Sequence, residues 1–195
     1  MHKDKVMKII FIRHGKTVGN LEGRYIGTTD ESLCEKGIAE IKTVNYPDVQ
    51  QVVCSPLKRC TETAELIYPR VIPIVCGDLR ECDFGDFENK NYLELSVNPD
   101  YQRWVDSNGK LPFPNGESHV QFKARCISAF DRQLVNSRNK DTAFVVHGGT
   151  IMAILEKYAV PKGSFYDFQV KNGCGFITEF DGKSLIITGK IGEEK

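Results

Sequence analysis

The stretch Ile9-Ile10-Phe11-Ile12-Arg13-His14-Gly15 is an apolar run that ends in a histidine and a glycine. A second stretch, Phe144-Val145-Val146-His147-Gly148-Gly149, ends in the same way. Short continuous apolar runs of this kind are typical of strands that are buried on both faces of a parallel sheet. Open α/β sheets bind their ligands beyond the carboxyl ends of the strands. The two runs therefore predict a ligand site that contains His14 and His147.

Strand-like and helix-like segments alternate along the chain, which predicts a three-layer α/β fold with a mainly parallel central sheet flanked by helices. The predicted strands are residues 8–13, 51–55, 71–75, 142–147, 175–180 and 184–188. The predicted helices are residues 35–43, 59–68, 118–136 and 151–158. No repeat or linker divides the chain, so we expect one domain over residues 1–195.

The segment 118–136 carries the clearest helical period. Apolar residues recur there every three or four positions and predict one buried stripe formed by Val120, Ala124, Ile127, Phe130 and Leu134. Ser118 and Gln121 have the spacing of a capping box that starts the helix. The preceding stretch, residues 92–115, has no clean period and is expected to be a partly helical excursion or lid.

Composition excludes several classes of protein. Lysine plus arginine and aspartate plus glutamate each number 26, and this balance disfavours a general nucleic-acid binder. Residues 1–6 lack the features of a secretory signal, and no apolar run is long enough to cross a membrane. The seven cysteines are scattered and form no Cys-x-x-Cys pair, which predicts neither a zinc site nor a disulfide framework. We therefore expect a cytoplasmic protein.

Two arginines accompany the histidines. Arg13 precedes His14 directly, and Arg59 falls in the first turn of the helix that follows the strand 51–55. Guanidinium groups are permanently charged and suit bidentate binding of phosphate, so both are candidates for an anion site. The amino end of the helix after His147 adds backbone N–H groups for the same purpose. Arg59 has a second interpretation, an ion pair with Glu62 or Glu65.

Two clusters leave their interpretation open at this point. The acidic cluster around Gly85, which consists of Glu81, Asp83, Asp86 and Glu88, offers several carboxylates, and the pattern alone does not choose a catalytic one. The aromatic residues of the excursion either line a pocket for a ring-containing leaving group or pack a lid; they are Tyr92, Tyr101, Trp104 and Phe113.

In their order along the chain, these motifs resemble the histidine phosphatase superfamily, the phosphoglycerate-mutase-like group. The matching elements are Arg13-His14-Gly15 with Thr17 and Asn20, Ser55 with Leu57, Arg59, Thr63 and Ala64, Glu81 with Gly85, Gly116-Glu117-Ser118, and His147-Gly148-Gly149. Residues 83–88 resemble the branch that contains α-ribazole phosphatase. Lys16 departs from the family pattern, in which glutamate or glutamine is usual.

The resemblance implies a role for each matching residue. His14 is expected to be the nucleophile that forms a phosphohistidine, and Glu81 to protonate the leaving alcohol and then activate water. Arg13, Arg59 and a protonated His147 are expected to hold the phosphoryl oxygens. The remaining phosphate-binding residues implied are Asn20, Ile26, Gly27 and Gly148. No metal and no other cofactor is expected.

The implied activity is hydrolysis of a small phosphorylated metabolite, with α-ribazole 5'-phosphate as one candidate and inorganic phosphate as the product. The alternatives are a cofactor-dependent phosphoglycerate mutase and a module that binds or dephosphorylates phosphoproteins. No nucleic acid or membrane is expected as a partner, and the sequence leaves the oligomeric state open.

Overall fold

The computed structural model describes residues 6–137 and 140–192, and its elements follow the predicted alternation of strands and helices. The strands are β1 Met7–Arg13, β2 Gln51–Cys54, β3 Ile74–Val75, β4 Thr142–Val146, β5 Ala159–Val160, β6 Gly175–Phe180 and β7 Leu185–Ile191. The helices are α1 Val18–Leu21, α2 Glu35–Thr43, α3 Lys58–Ile67, α4 Tyr92–Leu95, α5 Pro99–Asp106, α6 His119–Asn136 and α7 Gly148–Tyr158. The prediction that residues 1–6 are not a secretory signal concerns the start of the chain. Residues 1–5 lie outside the described residues.

The strands form one seven-stranded sheet in the order β3-β2-β4-β1-β6-β7-β5. The first four of these strands run parallel to one another, whereas β6 is antiparallel to both β1 and β7. The prediction of a mainly parallel sheet flanked by helices is therefore confirmed. Since β1, β2 and β4 share one direction, their carboxyl ends lie at the same edge of the sheet.

The core lies on both faces of this sheet because successive side chains of a strand point to opposite sides. Phe11 of β1 and Phe144 of β4 point to the face covered by α6 and α7, and their ring centroids lie 5.6 Å apart. Ile10 and Ile12 of β1 point to the other face, where they pack with Ala64 of α3. All of these apolar side chains are fully or almost fully buried, which fixes β1 at the centre of the molecule.

The predicted strand over residues 71–75 is wrong in length. Only Ile74–Val75 pairs with β2, and Ile72 is 92% exposed. Pro73 lies inside the apolar run and has no N–H to donate to a sheet. The run therefore forms only a short edge strand.

The longest helix, α6, begins after Ser118 with the predicted capping box, but the predicted apolar stripe is wrong over its first half. Val120 is 78% exposed, and Ala124 is also exposed. The buried face consists of Phe122, Cys126, Ala129, Phe130 and Leu134. Both sets of residues have a helical period, and the larger Phe122 decides which face of the helix is buried.

Across residues 6–137 and 140–192, no helix has the length and apolar character to cross a membrane.

The excursion before α6 is partly helical, as predicted, and contains α4 and α5. Its two ends are joined by backbone bonds: Asp86 N donates to Pro114 O, and Glu117 N donates to Asp83 O, each at 2.9 Å. Gly85 lies at this junction with a φ of 52°, a left-handed conformation that favours glycine. The excursion is thus a closed loop that starts and ends beside the acidic cluster.

A glycine at the centre of the sheet provides a test of this architecture. Gly175 of β6 pairs with Ile12 of β1, and a Cβ atom at this position would lie 1.8 Å from the carbonyl oxygen of Phe11. Because backbone cannot yield as a side chain can, Gly175→Ala should lower the free energy of unfolding by about 2–3 kcal/mol or more. Urea-induced unfolding measures this change.

Gly189→Ala on the neighbouring strand β7 is the matched control. There the nearest atom to an added Cβ lies 3.6 Å away, an ordinary contact. We expect no loss of stability in this variant, and equal unfolding curves for the two variants would contradict the close pairing of β6 with β1.

Candidate active site

The pairing of β1 with β4 brings the two predicted histidines together. Arg13 lies opposite Val146 in the sheet, and His14 N donates to Val146 O at 2.9 Å. The rings of His14 and His147 therefore emerge side by side, with centroids 5.2 Å apart. His14 is 4% exposed and His147 is fully buried.

His14 is held in a single tautomer. Its Nδ1 lies 2.7 Å from the carbonyl oxygen of Gly15, and a carbonyl can only accept, so Nδ1 carries the proton. Nε2 is then unprotonated and has a free electron pair. Burial, together with the charges of Arg59 and Arg13, holds the pKa of His14 well below its usual value. The ring is therefore neutral near pH 7, as a nucleophile must be.

The contacts of His147 favour a neutral ring, and the protonated form expected while it holds a phosphoryl group stays a prediction. Its Nδ1 accepts from Arg59 Nε at 3.3 Å, and its Nε2 lies 2.7 Å from Ser55 Oγ. Burial and the nearby charge of Arg59 hold the pKa of His147 well below its usual value. A protonated His147 would have to be produced by a negative charge that enters the pocket, because the protein's own charges oppose it.

Arg59 extends from the first turn of α3 into the interior and is fully buried. Besides His147, its guanidinium donates to the carbonyl oxygens of Thr29 at 2.7 Å, Gly27 at 2.8 Å and Ile26 at 3.3 Å. The alternative ion pair with Glu62 or Glu65 does not form, and the Glu62 carboxylate instead accepts from Leu33 N at 2.8 Å. Arg59 thus fixes the loop around Gly27 against the two histidines.

The backbone of this loop, which is expected to cradle phosphate, also makes hydrogen bonds within the protein. Gly27 N donates to Glu88 Oε1 at 2.8 Å, and the carbonyls of Ile26 and Gly27 are occupied by Arg59. Glycine is required at position 27, since a Cβ atom there would lie 2.0 Å from Cys82 O. Gly27 N is thus already engaged by Glu88, and the phosphate-binding role of Ile26 and Gly27 stays a prediction.

Arg13 is the guanidinium with unused hydrogen-bonding capacity. Its Nη1 donates to Val170 O at 2.8 Å, but its buried Nε has no hydrogen-bond partner. Unpaired buried donors are rare and call for a ligand or another explanation. The side chain lies against Gly148 at the amino end of α7, where an added Cβ would approach Arg13 Nε to 3.4 Å. Arg13 and the first turn of α7 thus face the same space.

Asn20 is linked by hydrogen bonds to the loop that follows His14. Its Oδ1 accepts from Thr17 N at 3.2 Å and from Asn172 Nδ2 at 3.0 Å. Asn172 also donates to the carbonyl oxygen of His14 at 3.1 Å. The predicted Asn20 therefore does come to the site, where its side-chain oxygen is engaged in holding this loop.

Glu81 is the member of the acidic cluster that reaches the site. Its carboxylate accepts from Cys82 N at 3.0 Å and from Gly149 N at 3.2 Å, in the first turn of α7. Burial raises the pKa of Glu81, although these bonds and the charges of Arg59 and Arg13 oppose the rise. The other carboxylates serve local structure: Asp83 accepts from Gly85 N, and Glu88 bonds the loop of Gly27 and Thr29.

A cavity of about 430 Å³ opens beside Arg13, Glu81 and Gly148. Its other walls are largely apolar and aromatic, and they include Phe84, Trp104, Phe113, Phe122, Met152, Phe165 and Tyr166. Of the four aromatic residues in the excursion, Trp104 and Phe113 line this cavity and also pack against each other. Tyr101 packs behind them, and Tyr92 is 64% exposed. Phe84, Phe122 and Phe165 had no local sequence signal, because they come from three separate segments.

Lys16 lies at the edge of the site and is paired. Its Nζ bonds Glu40 Oε1 at 2.7 Å, so its charge is balanced by α2. Within the described part of the chain, histidine, cysteine and acidic side chains form no cluster of three that could hold a metal ion.

Comparisons with known proteins agree with this geometry. Residues 9–189 match the family model of the histidine phosphatase superfamily, branch 1. The adenosylcobalamin/α-ribazole phosphatase of Salmonella typhimurium is 30% identical over 86% of this chain and 88% of its own length. A 2,3-bisphosphoglycerate-dependent phosphoglycerate mutase of Gloeobacter violaceus is also 30% identical, over 75% of this chain and 73% of its own. The crystal structure of the α-ribazole phosphatase from Shigella flexneri has the same fold, with a TM-score of 0.80 at 24% identity over 93% of this chain and 94% of that one.

The environment of His14 predicts its state in solution. At pH 6 a histidine with its usual pKa of about 6.5 would be roughly three quarters protonated. We expect His14 instead to be neutral at this pH, with its proton on Nδ1. Long-range ¹H–¹⁵N NMR of the imidazole rings distinguishes the two tautomers and the charged form, and a His14→Gln variant assigns the signals. A His14 ring that becomes charged between pH 7 and 6 would contradict the buried, cation-flanked environment described above.

Proposed function

Since this chain belongs to the histidine phosphatase superfamily and is a phosphatase, we propose that it cleaves the phosphate monoester of a small metabolite through a phosphohistidine on His14. One observation carries this proposal. His14, whose Nε2 is unprotonated, directly follows Arg13 in the chain, and Arg13 and the carboxyl of Glu81 both line one cavity. They are the nucleophile, the anion holder and the proton donor that the reaction requires.

In the first half of the reaction, His14 Nε2 attacks phosphorus in line with the leaving oxygen. The N–P bond forms as the P–O bond to the alcohol breaks, and Glu81 gives its proton to the departing oxygen. In the second half, Glu81 takes a proton from water as that water attacks the phosphohistidine. The N–P bond then breaks, His14 is neutral again, and inorganic phosphate leaves.

Charge stabilisation in this mechanism comes from groups that the pocket already orients. Arg13 lines the cavity and has an Nε without a hydrogen-bond partner, so its guanidinium is the first candidate to bind a phosphoryl oxygen. The amino end of α7 at Gly148 adds backbone N–H groups. A phosphate dianion would raise the pKa of His147, which the arginines now depress, and would turn this ring into a cationic donor. Arg59 contributes its charge while it binds the carbonyls of Ile26 and Gly27.

The proton on Glu81 has a physical basis in the same pocket. Burial raises its pKa in opposition to Arg59 and Arg13, and the negative charge of a bound phosphate would raise it further. A carboxylic acid that is protonated near neutral pH can supply the proton that an alkoxide leaving group needs. Binding of the substrate's phosphate therefore favours the protonated form of Glu81 that the reaction needs.

For the physiological alcohol we propose one that carries an apolar or aromatic ring, with α-ribazole 5'-phosphate as the first candidate. The cavity beside Glu81 supports this, since Trp104, Phe113, Phe122 and Phe165 form its walls and its volume of about 430 Å³ suits a small metabolite. The relative from Salmonella typhimurium bears the name of an α-ribazole phosphatase, which agrees with such an alcohol.

The roles of nucleophile and acid can be separated with two variants. His14→Ala should lose all uptake of labelled phosphoryl groups. Glu81→Gln keeps an oxygen to accept from Gly149 N but has no proton to give. Its phosphorylation rate should fall by roughly 10²–10⁴-fold with an alkyl phosphate, and much less with p-nitrophenyl phosphate, whose leaving group is already acidic. Rapid quench with both substrates measures this difference. An equal loss on the two substrates would mean that Glu81 is not the general acid.

The choice of substrate is tested by phosphate release. We expect α-ribazole 5'-phosphate to have a higher kcat/KM than glycerol 3-phosphate, because its rings can fill the aromatic cavity. Release should need no bisphosphorylated primer. Efficient conversion of 3-phosphoglycerate to 2-phosphoglycerate, dependent on 2,3-bisphosphoglycerate, would instead identify a mutase.

A further inference from the structure

Arg125 of α6 forms a five-bond junction beside the segment that carries Glu81. It holds the Glu117 carboxylate in a bidentate pair, with Nε to Oε1 at 2.9 Å and Nη2 to Oε2 at 2.6 Å. Its remaining bonds go to backbone carbonyls: Nη1 donates to Asp78 O at 2.8 Å and Arg80 O at 3.0 Å, and Nη2 to Glu81 O at 3.3 Å. The two side chains of the pair are only 12% and 14% exposed.

The carbonyls that Arg125 binds belong to an irregular stretch. Residues 78–81 leave a short 3-10 turn and enter a loop, so their carbonyls have no regular sheet or helix partners. A planar guanidinium with donors in fixed directions orders such a stretch better than a flexible ammonium would. Glu117 in turn fixes the guanidinium, because a bidentate pair permits one orientation only.

The junction and the carboxylate of Glu81 are anchored on adjacent helices. The backbone carbonyl of Glu81 accepts a hydrogen bond from Arg125 of α6. Its carboxylate accepts a hydrogen bond from Gly149 N at the start of α7. A shift of the 78–81 backbone would therefore displace the carboxyl relative to the phosphate site. General acid catalysis depends on hydrogen-bond reach to the leaving oxygen, so such a shift would slow proton transfer.

We propose that Arg125 and Glu117 are positioning residues that hold the carboxyl of Glu81 at the leaving oxygen. This inference rests on the proposed role of Glu81 as the general acid. Neither residue is expected to touch the substrate. The ion pair acts on the reaction through the backbone of residues 78–81. Loss of the pair should therefore slow the reaction of substrates whose leaving group needs a proton.

The test compares leaving groups in Arg125→Lys, Glu117→Gln and the double variant. Lysine keeps the charge but cannot bind the carboxylate and three carbonyls together. Each single variant should lower the phosphorylation rate about tenfold or more with an alkyl phosphate, since small misplacements are costly to catalysis. The rate with p-nitrophenyl phosphate should change less than about threefold. Because the pair acts as a unit, the double variant should lose little beyond the worse single variant.

Arg132→Lys is the matched control. Arg132 lies two turns further along α6 and pairs with the side chain of Asp78, at the start of the same segment, but contacts no carbonyl of residues 78–81. This control should leave both rates unchanged. Thermal unfolding of every variant separates a general loss of structure from a loss of position.

The possible results discriminate between this inference and the proposed function. If Glu81→Gln shows the leaving-group dependence and the Arg125 and Glu117 variants do not, the positioning role is wrong and the general acid stands. If Arg125→Lys and Glu117→Gln slow both substrates equally, in step with a fall in Tm, the pair is structural and the positioning role is likewise wrong. If Glu81→Gln itself shows no dependence, the general acid is misassigned and the inference falls with it.

Discussion

The active site depends above all on the parallel pairing of β1 with β4. Each strand is a run of buried apolar residues, and each ends in a histidine followed by glycine. The register that joins Arg13 to Val146 places His14 and His147 next to each other, with their rings in edge contact. Apolar burial thus performs the positioning, and the strands' rigid core holds the reacting groups in place.

Burial then sets the chemistry of the groups that the sheet brings together. It lowers the pKa values of His14 and His147 and raises that of Glu81, so it shifts each of the three toward its uncharged form. A neutral imidazole is the form that attacks phosphorus, and a protonated carboxyl is the form that donates. Burial lowers the pKa of Arg13 as well, yet a guanidinium stays charged in proteins. The same dry pocket can therefore hold a permanent positive charge beside neutral reactants.

Where these residues lie could largely be predicted from the sequence, because they occur in short motifs. The rings of His14 and His147 lie side by side, and Arg13 and Glu81 line the neighbouring cavity, while their catalytic roles stay predictions. The use made of Ile26 and Gly27 could not be predicted, since it depends on Arg59 crossing the interior to bind their carbonyls. The protonation state of His147 depends on more than a local pattern, because burial and the neighbouring arginines together lower its pKa. The aromatic walls were only partly foreseen for a similar reason: they come from distant segments that meet only in the fold.

The closed excursion before α6 has a consequence for how such an enzyme can diversify. Its ends are joined by backbone bonds between Asp86 and Pro114 and between Glu117 and Asp83, so the intervening chain leaves and re-enters at one fixed point. Side chains within the loop, such as Trp104, shape the cavity that we propose for the alcohol, whereas His14, His147 and both arginines come from strand ends and α3. The sequence of this loop could therefore be replaced as one unit. The range of substrates could change in this way while the residues that bind phosphate remain the same.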